Sequence, residues 1–446
     1  MKITTYFFNT FFFKNISIKI FFSSLVIFFS LFSHYACDTT EPPTNNHTLI
    51  LELEDVSSTE AWLQFTGTGL ELPKTLTLYS DDKVNEIIEL STNDTLIYVD
   101  SLLPNKSYKV KAALNTNNNQ QLVTNEVTFT TMDTTSQDYN WQEFMFGDPS
   151  SEASLIYDVA IINPNNIWAV GEIFLNDSLG QPQRYNAVHW NGKNWELKRI
   201  KYYGVCSAVE YPLLRNIWAF SDTNIILSNG GSIGWFNSKS IILDCRVNSL
   251  LTGAINKIWG ITNNEVYAVG TNGNVVCYQN GNWEKLESTT TTNINDAWGV
   301  ENENKTSIVY CPVSSIFNPP QDKKILKISN EKVDSVSWAK DKMLYSCWTD
   351  NNHYLYVCGS GAYSNRSGQW QQENLPAISM NMIRGNAKND IFIIGDLGFA
   401  AHFNGVRWKV FNENFGNIYR LAVNKNLVSF VGQKNGYGYL VVGQKN

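Results

Sequence analysis

The chain has 446 residues, 43% of them hydrophobic and 13% aromatic, with 14 Trp, 21 Tyr and 24 Phe. That aromatic load excludes a disordered protein, and the length leaves room for roughly two to four domains. The net charge is −7 and no basic stripe stands out, which argues against nucleic acid as a partner.

Lys2, Lys14 and Lys19 precede an almost wholly apolar run over residues 20–32. A charged leader followed by about 13 apolar residues fits an export signal, because a membrane span needs about 20. Residues 1–36 are therefore expected to be a signal peptide and the polar, Pro-containing residues 37–47 a tether. The Ala36-Cys37 junction resembles that of bacterial lipoproteins, in which the Cys after a small residue is lipidated and becomes the mature N-terminus. His34 departs from the usual Leu of that pattern. The resemblance implies a lipid anchor on Cys37, hence an exported, membrane-anchored lipoprotein of the bacterial cell envelope or surface. Ordinary cleavage near Ala36, with Cys37 incidental, is the alternative.

Residues 48–131 alternate apolar and polar positions over seven short segments, such as EAWLQFT at 60–66 and YKVKAAL at 108–114. Short alternating strands with turn signals between them predict an all-β sandwich. The stretch LLPNKSYKV (102–110) resembles the fibronectin type III corner, where a Leu and a Pro precede a core Tyr. Trp62 stands where that family places its buried Trp, and FTT at 129–131 resembles its closing strand. The resemblance implies a fibronectin type III-like spacer or adhesion module. Residues 132–140 read as a short polar linker.

From residue 141 to 446 one phrase recurs. NIWAVG (166–171) is followed by HWNGKNW (189–195), EVYAVG (265–270) by YQNGNW (278–283), and DIFIIG (390–395) by HFNGVRW (402–408). An apolar strand ending in Gly, a second strand and an Asn-Gly turn into a Trp-led strand form one all-strand unit. Repetition at roughly 35 to 50 residues is the signature of a β-propeller. Outer strands begin near Trp141, Trp195, Ile241, Trp283, Val333, Trp370 and Trp408. Inner strands begin near Tyr157, Ala208, Ile255, Asn295, Met343, Met380 and Ile418. Both sets count seven, with six or eight blades open where the second and fourth units are poorly marked. The offset between the sets predicts a ring in which WQEF, starting at Trp141, completes the last blade and removes two open sheet edges. The repeats also resemble those of bacterial exported propeller lipoproteins, which implies a fold rather than an activity.

Chemistry is sparse. His189 and His402 recur at one repeat position and read as blade geometry, and His353 reads as an exposed turn residue. No spacing suggests a metal site or a nucleophile–base pair, and no cofactor is implied. Asp158 and Asp296 read as turn-closing or amide-binding acids. Of the six Cys after Cys37, Cys277 and Cys358 sit in strand-like runs and read as buried thiols, with a Cys347–Cys358 pair across neighbouring strands as the alternative. Insertions at 172–185 and 312–324, with the blade connection at 202–203, share one face of the ring. They place Phe174, Arg184, Tyr185, Tyr202, Tyr203 and Phe317, with Pro319 and Pro320, around a mouth suited to recognition. The favoured expectation is a monomeric, non-catalytic protein that binds a protein or glycan there. A propeller hydrolase or lyase acting on polysaccharide, or an envelope assembly factor, is the alternative.

Overall fold

The computed structural model describes residues 47–446, except 116–120, 205, 303–304, 316–321 and 352. Cys37 and the leader lie outside the described residues, as do Phe317, Pro319 and Pro320. Strands dominate throughout, and no helix among the described residues is long and apolar enough to cross a membrane.

The first strands form two facing sheets. Thr48–Val56, Ala61–Thr68 and Asp94–Val99 make one; Lys74–Ser80, Lys83–Leu90, Ser107–Asn115, Gln121–Val123 and Val127–Thr130 make the other. Alternation places Leu51, Leu63, Leu76, Leu78, Val110 and Phe129 in one shared core. The Tyr108 hydroxyl accepts a hydrogen bond from the Leu103 amide at 2.8 Å, which pins the corner entering its strand.

Seven four-stranded antiparallel sheets follow among the described residues. Six are continuous in sequence, spanning 155–198, 216–244, 255–285, 298–336, 344–372 and 380–410. The seventh takes Asn417–Asn424, Leu427–Lys434 and Tyr437–Lys445, and its fourth strand is Tyr139–Phe146 from far upstream. That strand pairs with the last one in unbroken register from Gly438↔Phe146 to Lys445↔Tyr139. It begins at Tyr139 rather than Trp141. The first strands of successive sheets touch in order, and that of the seventh touches that of the first. The second unit's first strand starts at Asn216, later than the expected Ala208, because residues 201–215 form a connection tied down by the Cys206–Cys245 disulfide.

The glycine that ends the repeated phrase has a physical cause. In five sheets the first strand carries a β-bulge at the same place, at Tyr157, Asn256, Tyr345, Asn381 and Tyr419. The bulge presses the first strand's backbone onto Gly171, Gly270, Gly359, Gly395 and Gly432 of the second. A Cβ at Gly270 or Gly432 would overlap the carbonyl oxygen of Ala254 or Asn417. Asn side chains then stitch sheet to sheet. Asn256 donates to the Ile294 carbonyl (2.9 Å), Asn295 to that of Leu344 (2.8 Å) and Asn381 to that of Ile418 (3.1 Å).

The two-sheet unit packs on the ring. Trp62 is buried, but against the fifth and sixth ring sheets rather than inside its own sandwich core. Its indole donates to the Arg366 carbonyl (3.0 Å) and stacks on Tyr354 at 6.0 Å. Glu60 pairs with Arg366 (2.9 Å) and Asp55 with Lys388 (2.5 Å). His353, expected to be exposed, is half-buried and meets Glu54 at 3.1 Å. Residues 132–138 are held too. Asn389 donates to the Asp133 carbonyl (2.8 Å), and Gln137 to the His402 carbonyl (2.7 Å).

Candidate functional site

The ring axis has two levels. At the deeper one, residues in or just before the first strands of four sheets meet. Asp158 pairs with Lys257 (2.9 Å) and Asp296 with Arg384 (2.7 Å), and all four side chains are at most 4% exposed. Asp158 also accepts the Ile217 amide (3.1 Å), and Asp296 the Cys347 amide (3.3 Å) and the Ser346 hydroxyl (2.5 Å). The amide-binding reading holds for both acids; the turn-closing reading does not, since both lie within or beside central strands. Burial drives the Lys257 ammonium below its ordinary value, only partly offset by Asp158. Burial alone would raise the Asp296 carboxyl, but Arg384 and its hydrogen bonds hold it low. Arg384 also lies 4.6 Å from the Trp298 ring. Both carboxylates are fixed by a buried cation and by a backbone amide, the arrangement that a buried charge needs in order to be tolerated.

The upper level is the bulge collar. A bulge re-aims its residue, and three of the five re-aimed residues are tyrosines, Tyr157, Tyr345 and Tyr419. Burial raises the Tyr345 and Tyr419 hydroxyls, and Asp396 adds to both; Tyr157 adds to Tyr419, so these groups share one neighbourhood. The Arg215 guanidinium lies 5.2 Å from the Tyr157 ring. Arg420, half-buried beside Tyr419, donates to the Tyr419 carbonyl (3.3 Å) and forms no ion pair with a described residue. On the same end of the ring, a groove of about 700 Å³ is lined by Thr252, Asn272, Lys285, Ser288, Thr289 and Asp322.

The residues expected at the mouth divide. The insertion after Glu172 is not a loop but a hairpin extension, with strands Asn166–Asn176 and Pro182–Trp190. Phe174 is 4% exposed within it, covered by Arg184 at 5.3 Å, and Arg184 reaches Glu172 at 3.8 Å. Tyr185 is half-buried in the core between the first and seventh sheets. Tyr202 is fully buried, its hydroxyl donating to the Ser232 carbonyl (2.7 Å), so it presents nothing to a ligand. Tyr203, 61% exposed, remains on the surface. The collar tyrosines and Arg420 were missed. The signal for them was present: at the position where Asn stitches other sheets, three units carry Tyr.

The recurring His residues serve their own sheets. His189 stacks on Trp168 at 4.0 Å and meets Asn166 at 3.0 Å; His402 meets Asp390 at 2.7 Å. Burial lowers both imidazoles. No group of three or more His, Cys, Asp or Glu that could hold a metal occurs among the described residues. Cys347 and Cys358 are free thiols rather than a pair. Cys347 lies opposite Val357 in the ladder, so the adjacent Cys358 points to the other sheet face.

This arrangement, sheets in a ring with their first strands lining the axis, defines a β-propeller. No family model matches the chain, and no curated protein matches it. Among solved structures it is similar to YCF48 bound to D1 peptide, at 11% identity and TM-score 0.48, over 70% of this chain and 97% of that one. It is also similar to a GH74 xyloglucanase from Xanthomonas campestris, at 10% identity and TM-score 0.42, over 89% and 67% of the two chains. A third, the gluconolactonase XC5397 from Xanthomonas campestris, shares 10% identity with TM-score 0.37, over 49% and 82%. Overlaps this partial carry no weight for function, and the fold rests on the sheet order itself.

Proposed function

We propose that the chain is an exported, non-catalytic binding protein, anchored by lipid on Cys37. Residues 48–131 are a fibronectin type III-like sandwich, and the seven sheets are the blades of a seven-bladed β-propeller closed by the Tyr139–Phe146 strand. The collar end of the propeller binds a protein or glycan, and the protein acts as a monomer without cofactor. The observation that carries the binding role is the collar itself: three tyrosines with Arg215 and an Arg420 that has no ionic partner among the described residues. Tyr and Arg are the side chains that dominate recognition energetics. The nearby groove of about 700 Å³ falls in the range of roughly 300–1,000 Å³ that small-ligand sites occupy. The Cys206–Cys245 bond supports an oxidising compartment, and the Tyr108 corner supports the sandwich assignment.

The test is affinity capture from envelope extracts together with glycan-array binding, comparing the wild-type protein with Tyr419→Ala/Arg420→Ala. Retention of the captured ligand should fall at least about tenfold in the variant, the loss expected from removing two hot-spot side chains. Undiminished capture would reject the collar. Turnover of a polysaccharide by the wild-type protein would replace the binding role with the enzyme reading.

A further inference from the structure

The end of the ring opposite the collar carries a second recognition feature, visible by comparing equivalent grooves between sheets. In the repeat, Phe403 and Trp408 of the sixth sheet occupy the positions that Trp190 and Trp195 hold in the first. The groove before the sixth sheet is filled from within the molecule. Trp62 and Tyr98 of the sandwich sit there, their rings 5.6 Å apart, among Trp348, Tyr354 and Phe403. Trp62 is carried on an extended strand and hydrogen-bonds a backbone carbonyl at the groove edge.

The corresponding groove before the first sheet is open. It is a cavity of about 240 Å³, walled by Trp190, Trp195, Phe144 and Leu427, with the amides of Gln142 and Gln444 at its border. Pro164 and Trp190 place it near the turns that join first to second and third to fourth strands, the same end that receives the sandwich. Its chemistry differs from its counterparts in one respect. The repeat Trp donates to a carboxylate of the preceding sheet in two other grooves, Trp408 to Glu373 (2.9 Å) and Trp283 to Asp244 (3.0 Å). Here the closing strand supplies Phe144 and Phe146, 5.4 and 5.6 Å from Trp195, and the buried Trp195 indole N–H has no hydrogen-bond partner among the described residues. A cavity this small is below the roughly 300 Å³ where drug-sized ligands begin and matches one large side chain. Its walls are aromatic and its border consists of neutral amides, which suits a ring with a backbone on either side.

We infer that this groove is a docking pocket for a single Trp or Tyr side chain displayed on an extended strand of a partner protein, as Trp62 is displayed to the equivalent groove. The site lies at the other end of the ring from the collar, so one molecule can hold two partners at once.

The test uses the full protein with labelled Ile, Leu and Val methyl groups. It is titrated with an extended pentapeptide carrying Trp between threonines, and with the same peptide carrying Ala. The methyl resonances of Ile167, Leu427 and Val442 should shift saturably with the Trp peptide and at least about tenfold more weakly with the Ala peptide, the loss typical of removing an aromatic anchor. Val442→Phe should fill the cavity and abolish the response while distant methyl resonances stay in place. Gln444→Trp, at an exposed border position, should do the same by covering the opening if the first variant does not fold. No shift at these methyls, or a shift that survives both variants, overturns the pocket. Saturable shifts with maltohexaose and none with the Trp peptide assign the groove to a glycan and overturn the protein partner.

Discussion

Two levels of one axis treat charge in opposite ways. In the deeper level Asp158, Lys257, Asp296 and Arg384 are almost wholly removed from water, and each carboxylate faces a cation. Arg420 follows the bulge as Asp158 and Lys257 do in their sheets, but next to the collar's Tyr419 it keeps partial exposure and has no ion-pair partner among the described residues. The difference is one of dielectric. A buried charge without a partner costs several kcal/mol, so the interior admits only closed pairs, whereas water at the collar lets a cation wait for something else to answer it. Pairing therefore marks where the molecule holds itself together, and the proposed binding role rests on the partly exposed cation beside the collar.

The strongest way to break this contrast is to strand an interior charge. Arg384→Met leaves Asp296 buried with only hydrogen bonds to the Cys347 amide and Ser346 hydroxyl. Stability in urea unfolding should fall by about 3–5 kcal/mol, the usual cost of an uncompensated buried charge. The double variant Asp296→Leu/Arg384→Met should recover most of that loss, because two apolar side chains of similar volume need no partner. If the double variant is as unstable as the single one, packing around Trp298 rather than charge governs this level.

Acid sharpens the same contrast more gently. Burial lowers the His402 imidazole below its ordinary value of about 6.5, and Asp390 only partly opposes that effect. As pH falls below about 6.5 the unfolded chain takes up a proton that native His402 does not, so stability declines through the window from 6.5 down to the lowered native value. Above about pH 7 both states are neutral at this group and it contributes no slope. Calorimetry between pH 7.5 and 5 should show a falling Tm in the wild type and a shallower fall in His402→Phe. Equal slopes would assign the acid sensitivity to other groups.

The sequence made the ring legible because its unit is local. The NIWAVG and HWNGKNW phrases lie within one sheet, and adjacent strands of a hairpin find each other without any long-range information. The closing Tyr139–Phe146 strand was legible from an absence, a final unit short of its outer strand. The axis was not legible. Asp158 and Lys257 are 99 positions apart, and only the ring's closure brings them within 2.9 Å. Trp62 failed for a related reason: alternation says that a residue is buried, not which unit buries it. Phe174 and Tyr202 looked like loop aromatics because hairpin extension and core packing were taken for insertion. Asn256, Asn295 and Asn381 join one sheet to the next, contacts that the alternation within a single sheet does not reveal. The collar could have been found by asking which units put Tyr where others put Asn.

The smallest effect is also the most telling. Arg420→Ala at the collar removes a guanidinium whose hydrogen bond is to its neighbour's carbonyl at 3.3 Å and which has no ionic partner among the described residues. Its loss should leave unfolding stability within about 0.5 kcal/mol of wild type, as for substitutions away from caps, cores and paired charges. Some of its methylene stem covers apolar surface, so a shift of a few tenths of a kcal/mol is expected from packing alone. Set beside Arg384→Met, two arginines on one axis would then differ by several kcal/mol although their chemistry is identical. A loss at Arg420 as large as that at Arg384 would mean that its charge is answered by the fold after all, and the collar would belong to the interior rather than to a binding surface.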